Sequence, residues 1–505
     1  MYFADLTGDW NGDNDAYYGE ENDDSPNYYP DIFVGRLICS NTTDIQNWVN
    51  KVLQYEQNPG NGNYSYLLNE FSIQADDMQQ GNQASDVAGH LTMFSHTTKN
   101  EFPTPDATYN TSGIIQTPLA YYGQPGTSKG ADIISTWNNN HYGLISWFCH
   151  GGSGPGAYNC TNGTSNIATM TNGLNVPGEN SWKLNAQDNH PYCAPNVQTE
   201  TGNGLNNLTN SNYQSILYSI SCDVTPYDIT SQNGKGGGMN CGEAFTKLSQ
   251  TGGVAFLGNT RSGFVGTSYL LYEAFADLIT SNDYYSHLGI AEAISKNNYN
   301  SHYLSYTHNL IGCPETEMWT AQPEDLIVST TPSDLTLSAN NTVTVTIYNL
   351  PDGKQATVCL YKENDILLAP HYITGTGNPV TETFTNVNPS STGNLNVTVT
   401  THNYIPNQSL IPVCAFNTTP LAITTNQTLN SVTIVDCDIT VYSPATLTVN
   451  SKLYLNHNAT FTIKSGATLI VNSTGSILGG CDSSLSPAWD GTFVGELGAN
   501  LTINA

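Results

Sequence analysis

The sequence predicts a multidomain protein: an α/β domain with a mostly parallel sheet, then a β-sandwich, then an all-β tail of β-solenoid type. Three observations carry this. Between about residues 66 and 310, short runs that are apolar on both alternations are separated by stretches with helical spacing, as in a sheet covered on both faces. At Pro323 the pattern changes to strict polar/apolar alternation, as in Thr342-Val-Thr-Val-Thr-Ile-Tyr348 and Leu395-Asn-Val-Thr-Val-Thr400. From Ala445 onward one unit is reused: Ala445-Thr-Leu-Thr-Val-Asn450, Ala459-Thr-Phe-Thr-Ile-Lys464, Ala467-Thr-Leu-Ile-Val-Asn472 and Ala499-Asn-Leu-Thr-Ile-Asn504.

Taken in order, Asp5 to Asp31 is dense in acids, Gly, Asn and Tyr, and Ile32-Phe-Val34 predicts a brief strand. Ile45, Trp48, Val49, Val52 and Leu53 recur at helical spacing. They predict a helix from Thr42 to Gln57, capped by Asn41, Thr42 or Thr43 and stopped by Pro59-Gly60. Phe71 to Ala75 is a strand leading into Asp76-Asp77. The runs Tyr142 to His150 and Ser215 to Cys222 suit strands buried on both faces, and Gly253 to Gly258 is a third. Residues 153 to 212 lack apolar periodicity and predict a long surface excursion. Helices follow at Cys241 to Leu248, Tyr269 to Ile279 and Leu288 to Ser295. The domains expected are 1–322, 323–418 and 419–505. For the tail, an antiparallel meander is the alternative to stacked coils.

Lys and Arg number 13 against 42 Asp and Glu, a net charge of −29. Such a field excludes nucleic acid and anionic membrane as partners. No apolar run reaches the length of a membrane span. The opening Met1-Tyr-Phe-Ala-Asp-Leu lacks the basic start and apolar core of a signal peptide, so an export address would have been removed or lie outside this sequence. A low-Lys surface rich in Asn, Ser and Thr fits an extracellular or cell-surface protein. About fourteen Asn-x-Ser/Thr sequons, including Asn41, Asn110, Asn207, Asn417 and Asn472, permit glycosylation. The cysteines number 11, an odd count. With Cys222 kept free, pairs such as Cys160 with Cys193 and Cys359 with Cys414 are open, as is a set of buried free thiols.

Two constellations carry chemistry. In parallel α/β sheets ligands bind beyond the carboxyl ends of the strands. Two apolar runs end there on His150 and Cys222, which suits a base and a nucleophile. A nearby imidazole lowers the thiol pKa and later protonates the leaving group. Backbone N–H groups of Gly151 and Cys222 are candidates for an oxyanion hole, although a core Cys and a strand-end His are also commonplace. The second constellation is Asp9-x-Asn11-x-Asp13-x-Asp15 with Glu20 at the twelfth position. Oxygen ligands at alternate positions closed by a carboxylate are the chemistry of a calcium loop, here without flanking helices. Asn14 stands where glycine usually makes the sharp turn, a left-handed geometry Asn tolerates. The alternative is a solvated acidic turn.

His150-Gly-Gly152, Ser219-Ile-Ser-Cys-Asp223 and Gly236-Gly-Gly-Met-Asn-Cys-Gly-Glu-Ala-Phe245 together resemble the gingipain family of cysteine peptidases. Asp31-Ile-Phe-Val-Gly-Arg36, Lys51-Val-Leu-Gln-Tyr-Glu56 and Asn309-Leu-Ile-Gly-Cys-Pro314 extend the resemblance over about residues 1 to 320. It implies a caspase-like α/β fold, His150 as general base and acid, Cys222 as nucleophile, and protein or peptide substrates. It further implies calcium binding and an immunoglobulin-like domain where the sandwich is expected. A further N-terminal subdomain is usual in the family and is expected to be missing here, the sequence beginning inside the domain near the acidic segment. Cys313 replaces the usual Asp before Pro314, Asp76 and Asp77 are guesses for the acid that orients His150, and no preference for Arg or Lys carries over. The rival from another class is an extracellular structural or fibre-forming protein that keeps an inactive or dispensable peptidase fold and self-assembles through uncapped β ends.

Overall fold

The computed structural model describes residues 3–20, 23–74, 83–100, 130–148, 150–153, 165–171, 182–188, 204–227, 239–299, 302–377, 379–415, 419–456, 459–480, 489 and 491–504. Asp76, Asp77, Cys160, Cys193, Asn110 and Asn417 lie outside them. The chain divides into two compact units, Met1–Pro323 and Glu324–Ala505.

In the first unit the strands are β1 (Asn69–Gln74), β2 (Ser95–Asn100), β3 (Leu144–Phe148), β4 (His150–Ser153), β5 (Ser165–Thr171), β6 (Trp182–Asp188), β7 (Ser215–Ser219), β8 (Gly253–Asn259) and β9 (His308–Ile311). The helices are α1 (Thr42–Gln57), α2 (Gln83–His90), α3 (Gly130–Asn140), α4 (Cys241–Lys247), α5 (Val265–Ile279), α6 (Leu288–Tyr299) and α7 (His302–Thr307). The main sheet runs β2-β1-β3-β7-β8-β9. Its pairs are parallel except the last, β8 with β9.

Burial on both faces explains why β3 and β7 are apolar throughout. Ser146 and Tyr218 sit in register and meet α5: the Ser146 hydroxyl bonds Tyr272, and the Tyr218 ring stacks on Tyr272 at 3.8 Å. By strand alternation Ile145, Trp147 and Leu217 point the other way, and all are fully buried. On that side α1, α3 and α4 associate: Lys51 Nζ donates to Phe245 O at 3.1 Å, and Trp137 packs on Phe245. Each such apolar side chain contributes about 1.5–3 kcal/mol by leaving water. Helix α1 has the predicted bounds, with Asn41 Oδ1 accepting the Asp44 N–H at 3.0 Å as its cap.

Three expectations need correction. Ile32 to Val34 form no strand; the pairing is one bridge from Arg36 to Ile311, and the Ile32 N–H is bound instead to Ala4 O. The excursion after Ser153 carries its own antiparallel sheet, β4-β6-β5. Cys359 is a free thiol and Cys414 is disulfide-bonded, so these two are not partners.

In the second unit, residues 324–415 form mostly antiparallel sheets around a core that includes Leu335, Val345, Val358, Phe384, Val397 and Ile411, with short parallel pairings at Glu324–Asp325 and Leu335–Thr336. Beyond them the chain winds so that successive turns stack their strands in three parallel ladders, the last turn adding to two of them among the described residues. Thr446 pairs with Thr468 and Ile439 with Phe461, each 22 residues on. Parallel pairing rules out the meander. Asn430, Asn450, Asn472 and Asn504 stack as an amide ladder, each Nδ2 donating to the previous Oδ1 at 2.6–2.7 Å.

Candidate active site

The two chemistry-bearing runs leave the sheet side by side. The Ile220 N–H donates to Trp147 O at 3.1 Å, which holds the chain after β7 against the end of β3. Gly151, in β4, then lies directly on the turn that carries Cys222. A Cβ added to Gly151 would stand 2.1 Å from Cys222 O, 2.6 Å from Val224 Cγ1 and 3.0 Å from Ser221 Cβ. Only glycine fits this approach. His150 precedes it by one peptide, about 3.8 Å between Cα atoms. His150 is described through its main chain alone, where it pairs with Asn185.

Cys222 is a free, half-buried thiol on a sharp turn three residues past β7. Asp223 follows with φ of 48°, a left-handed conformation that Asp adopts more readily than most residues. The next β-strand holds both arms of the turn. Asn259 Nδ2 donates to Ile220 O at 3.1 Å and Ser221 O at 3.2 Å, while Asn259 O accepts from Val224 N at 3.0 Å and Thr225 N at 3.1 Å. The Asp223 N–H reaches Arg261 O at 3.0 Å. The sulfur itself accepts the Gly263 N–H at 3.1 Å. Burial pushes the Cys222 thiol above its ordinary range, the Gly263 N–H opposes this, and the charge of Asp223 adds to the rise. A thiol in this state is protonated at neutral pH and needs a base to become a nucleophile.

Beside the sulfur stands an aromatic rim. Phe264 and Tyr303 are 53% and 40% exposed, with ring centroids 5.1 Å apart. Burial raises the Tyr303 phenol, followed by the negative charges of Asp223 and Cys222, with Arg261 opposing. Tyr303 therefore shares the field of the thiol.

The model of peptidase family C25 matches residues 1–319 of the chain. The chain belongs to peptidase family C25. It is thus a cysteine peptidase by family, and proteins are the substrates such an enzyme implies. Among solved structures, one described as a protease is similar at 16% identity over 77% of this chain and 76% of that one, with a TM-score of 0.50; at that identity the likeness concerns the fold. A β-glucosidase from Erythrobacter marinus aligns at 10% identity over 71% of this chain and 48% of that one with a TM-score of 0.19, which carries no argument. No curated protein matches.

This C25 chain holds a buried ionic group behind the nucleophile. Glu292 Oε1 accepts from Lys296 Nζ at 2.9 Å and His308 Nδ1 at 2.8 Å, and His308 Nε2 donates to Ser219 O at 3.3 Å. Burial alone would raise the Glu292 carboxyl, but the charges and hydrogen bonds of His308 and Lys296 hold it at about 2. The i, i+4 spacing of Glu292 and Lys296 was visible in sequence; the fold alone adds His308.

The acidic segment is organised by Asp5, which the sequence did not single out. Its carboxylate accepts Thr7 N, Gly8 N, Asn27 N and Trp10 Nε1 at 2.6–2.9 Å. Within the loop, oxygens of Asp13, Asp15 and Glu20 lie within 4.8 Å of one another. Asn11 Oδ1 is buried without a hydrogen-bond partner, while Asn11 Nδ2 donates to Asp15 O at 3.3 Å. Asn14 adopts φ of 61°, the left-handed turn expected there. Asp9 is not among the converging carboxylates; its Oδ1 accepts the Asn11 N–H at 3.2 Å. Partial desolvation, then the charges of Asp15, Asp13, Asp23 and Asp24, raise the Glu20 carboxyl. Three converging carboxylate oxygens and an orphaned amide oxygen fit a hard divalent cation.

Proposed function

We propose that this chain is an extracellular or surface endopeptidase that cleaves peptide bonds with Cys222 as nucleophile and His150 as general base and acid. The observation that supports it is the contact of Gly151, one peptide from residue 150, with the turn that carries Cys222. The raised thiol supplies the chemical reason for a base. His150 would take the Sγ proton as the thiolate attacks the scissile carbonyl carbon, and the oxyanion would be met by N–H groups of Gly151 and Cys222. The proton then passes to the departing amine as the C–N bond breaks, leaving a thioester that water hydrolyses with His150 as base.

Calcium, held by Asp13, Asp15, Glu20 and the Asn11 carbonyl oxygen, would serve a structural role by neutralising the crowded carboxylates; Asp9 would join only after rearrangement. The sandwich at 323–418 is assigned as immunoglobulin-like and the tail at 419–505 as a β-solenoid. Phe493, Leu497, Leu501 and Ile503 are exposed, and self-association of the chain is proposed through them. Family membership favours the enzyme over the structural rival. Cys222→Ala and His150→Ala, folded by circular dichroism, are expected to abolish cleavage of an unfolded protein substrate. Retention of wild-type cleavage by either variant would overturn the pair.

A further inference from the structure

We propose that Asn259 is a positioning residue for the nucleophile: it holds the Gly263 N–H on the Cys222 sulfur and so preorganises the thiolate. This rests on Cys222 being the nucleophile. Asn259 closes β8 and is fully buried; its Oδ1 has no hydrogen-bond partner, so the side chain is held by its amide nitrogen alone. Its Nδ2 hydrogens are spent on Ile220 O and Ser221 O, the two carbonyls immediately before Cys222. Its main-chain oxygen binds the N–H groups of Val224 and Thr225, two and three residues after it. One residue thus brackets the turn from both sides.

The same amide packs against the donor loop. A Cβ on Gly263 would lie 2.7 Å from Asn259 Nδ2, 2.9 Å from Ile220 O and 3.1 Å from Ser268 Oγ, so Gly263 is seated in a notch whose floor is the Asn259 amide. Ser268 Oγ secures the other side by accepting the Phe264 N–H at 3.1 Å. Gly263 and Phe264 lead into α5, 15 residues long, so the sulfur receives its N–H at the positive end of that helix. When the thiol loses its proton, these donors are already in place and no reorganisation is required. The titratable or charged groups that share this field among the described residues are Asp223 on the same turn, Arg261 on the loop after β8, and Tyr303 on α7.

The experiment compares wild type, Asn259→Leu, Ser268→Ala and Cys222→Ala. Cys222 alkylation by iodoacetamide is followed across pH by mass spectrometry, and kcat and KM are measured on a protein-derived peptide. Asn259→Leu is expected to lower kcat by about 100-fold, the usual cost of a 1 Å misplacement. KM should stay within about two-fold, because the substrate does not touch Asn259. The midpoint of the alkylation profile should rise, since the Gly263 N–H is lost to the thiolate. Ser268→Ala should move kcat and the midpoint in the same direction by less. A folded Asn259→Leu with the wild-type alkylation profile and kcat overturns the proposal. If Asn259→Leu does not fold, Ser268→Ala decides: a raised midpoint with lowered kcat supports it, and a wild-type profile overturns it. Full activity in Cys222→Ala would instead remove the nucleophile assignment, while the alkylation profiles would still judge the seat built by Asn259.

Discussion

Gly151→Ala perturbs the convergence of the two strand ends with the smallest possible side chain. The new Cβ would meet Cys222 O at 2.1 Å, and the carbonyl would have to retreat by at least about 1 Å before the contact became tolerable. Retreat is resisted, because Asp223 N is tied to Arg261 O and Val224 N to Asn259 O, one on each of the next two residues. Forcing one methyl into such a contact costs about 1–3 kcal/mol of stability. The same 1 Å shift of the sulfur's backbone is worth about 100-fold in kcat. The assay is kcat and KM on one peptide substrate, with Tm by calorimetry, for Gly151→Ala and for Gly89→Ala. Gly89 lies in α2 with open space where its Cβ would stand, so that variant should match wild type in rate and equal or exceed it in Tm. Wild-type kcat and Tm in Gly151→Ala would refute the reasoning, since the turn could not then lie against β4.

Glu292→Gln should lower the urea midpoint by an amount equivalent to about 3–5 kcal/mol, because it leaves the buried Lys296 and His308 side chains without the carboxylate both donate to. A carboxyl held at about 2 when folded, against about 4.3 when unfolded, contributes stability that is fully present above the unfolded value. That contribution is lost as pH falls toward about 2, so wild type should weaken more steeply across this window than Glu292→Gln; parallel acid curves would count against it. Calcium at 100 times its Kd should stabilise wild type by about 2.7 kcal/mol and raise its Tm, an increment that Asp15→Asn loses. An equal increment in both proteins would move the ion elsewhere. Phe264→Ala should raise KM for peptides with bulky apolar side chains while leaving kcat nearly unchanged; an unchanged KM would exclude the aromatic rim from substrate binding.

The parts of the fold that were legible in sequence are those with a local period. Helix α1 shows its apolar spacing and its Asn41 cap in consecutive residues, and β3 and β7 are apolar on both alternations because helices cover both faces. What escaped notice depends on long-range contacts or on weak alternation. In β5 and β6, Gly- and Asn-rich flanks hide the short pattern that folds back on β4. The Ile32 to Val34 stretch is apolar enough for a strand, yet its neighbours lead its N–H groups to Ala4. At the candidate site, the strand-end rule pointed to His150, Gly151 and Cys222. Asn259 and Gly263 were missed, although a polar residue closing the otherwise apolar run Gly253 to Asn259 was the available signal. Pairing Cys359 with Cys414 from sequence failed for a related reason: cysteine spacing carries no information about which strands become neighbours.

The most direct measurement of the central claim is active-site labelling with a peptidyl chloromethyl ketone, read by peptide mass spectrometry alongside residual activity. One equivalent should attach at Cys222, activity should fall in proportion to labelling, and His150→Ala should label far more slowly while remaining folded. Full cleavage by protein quantitatively alkylated at Cys222, or equal labelling rates with and without His150, would contradict the account.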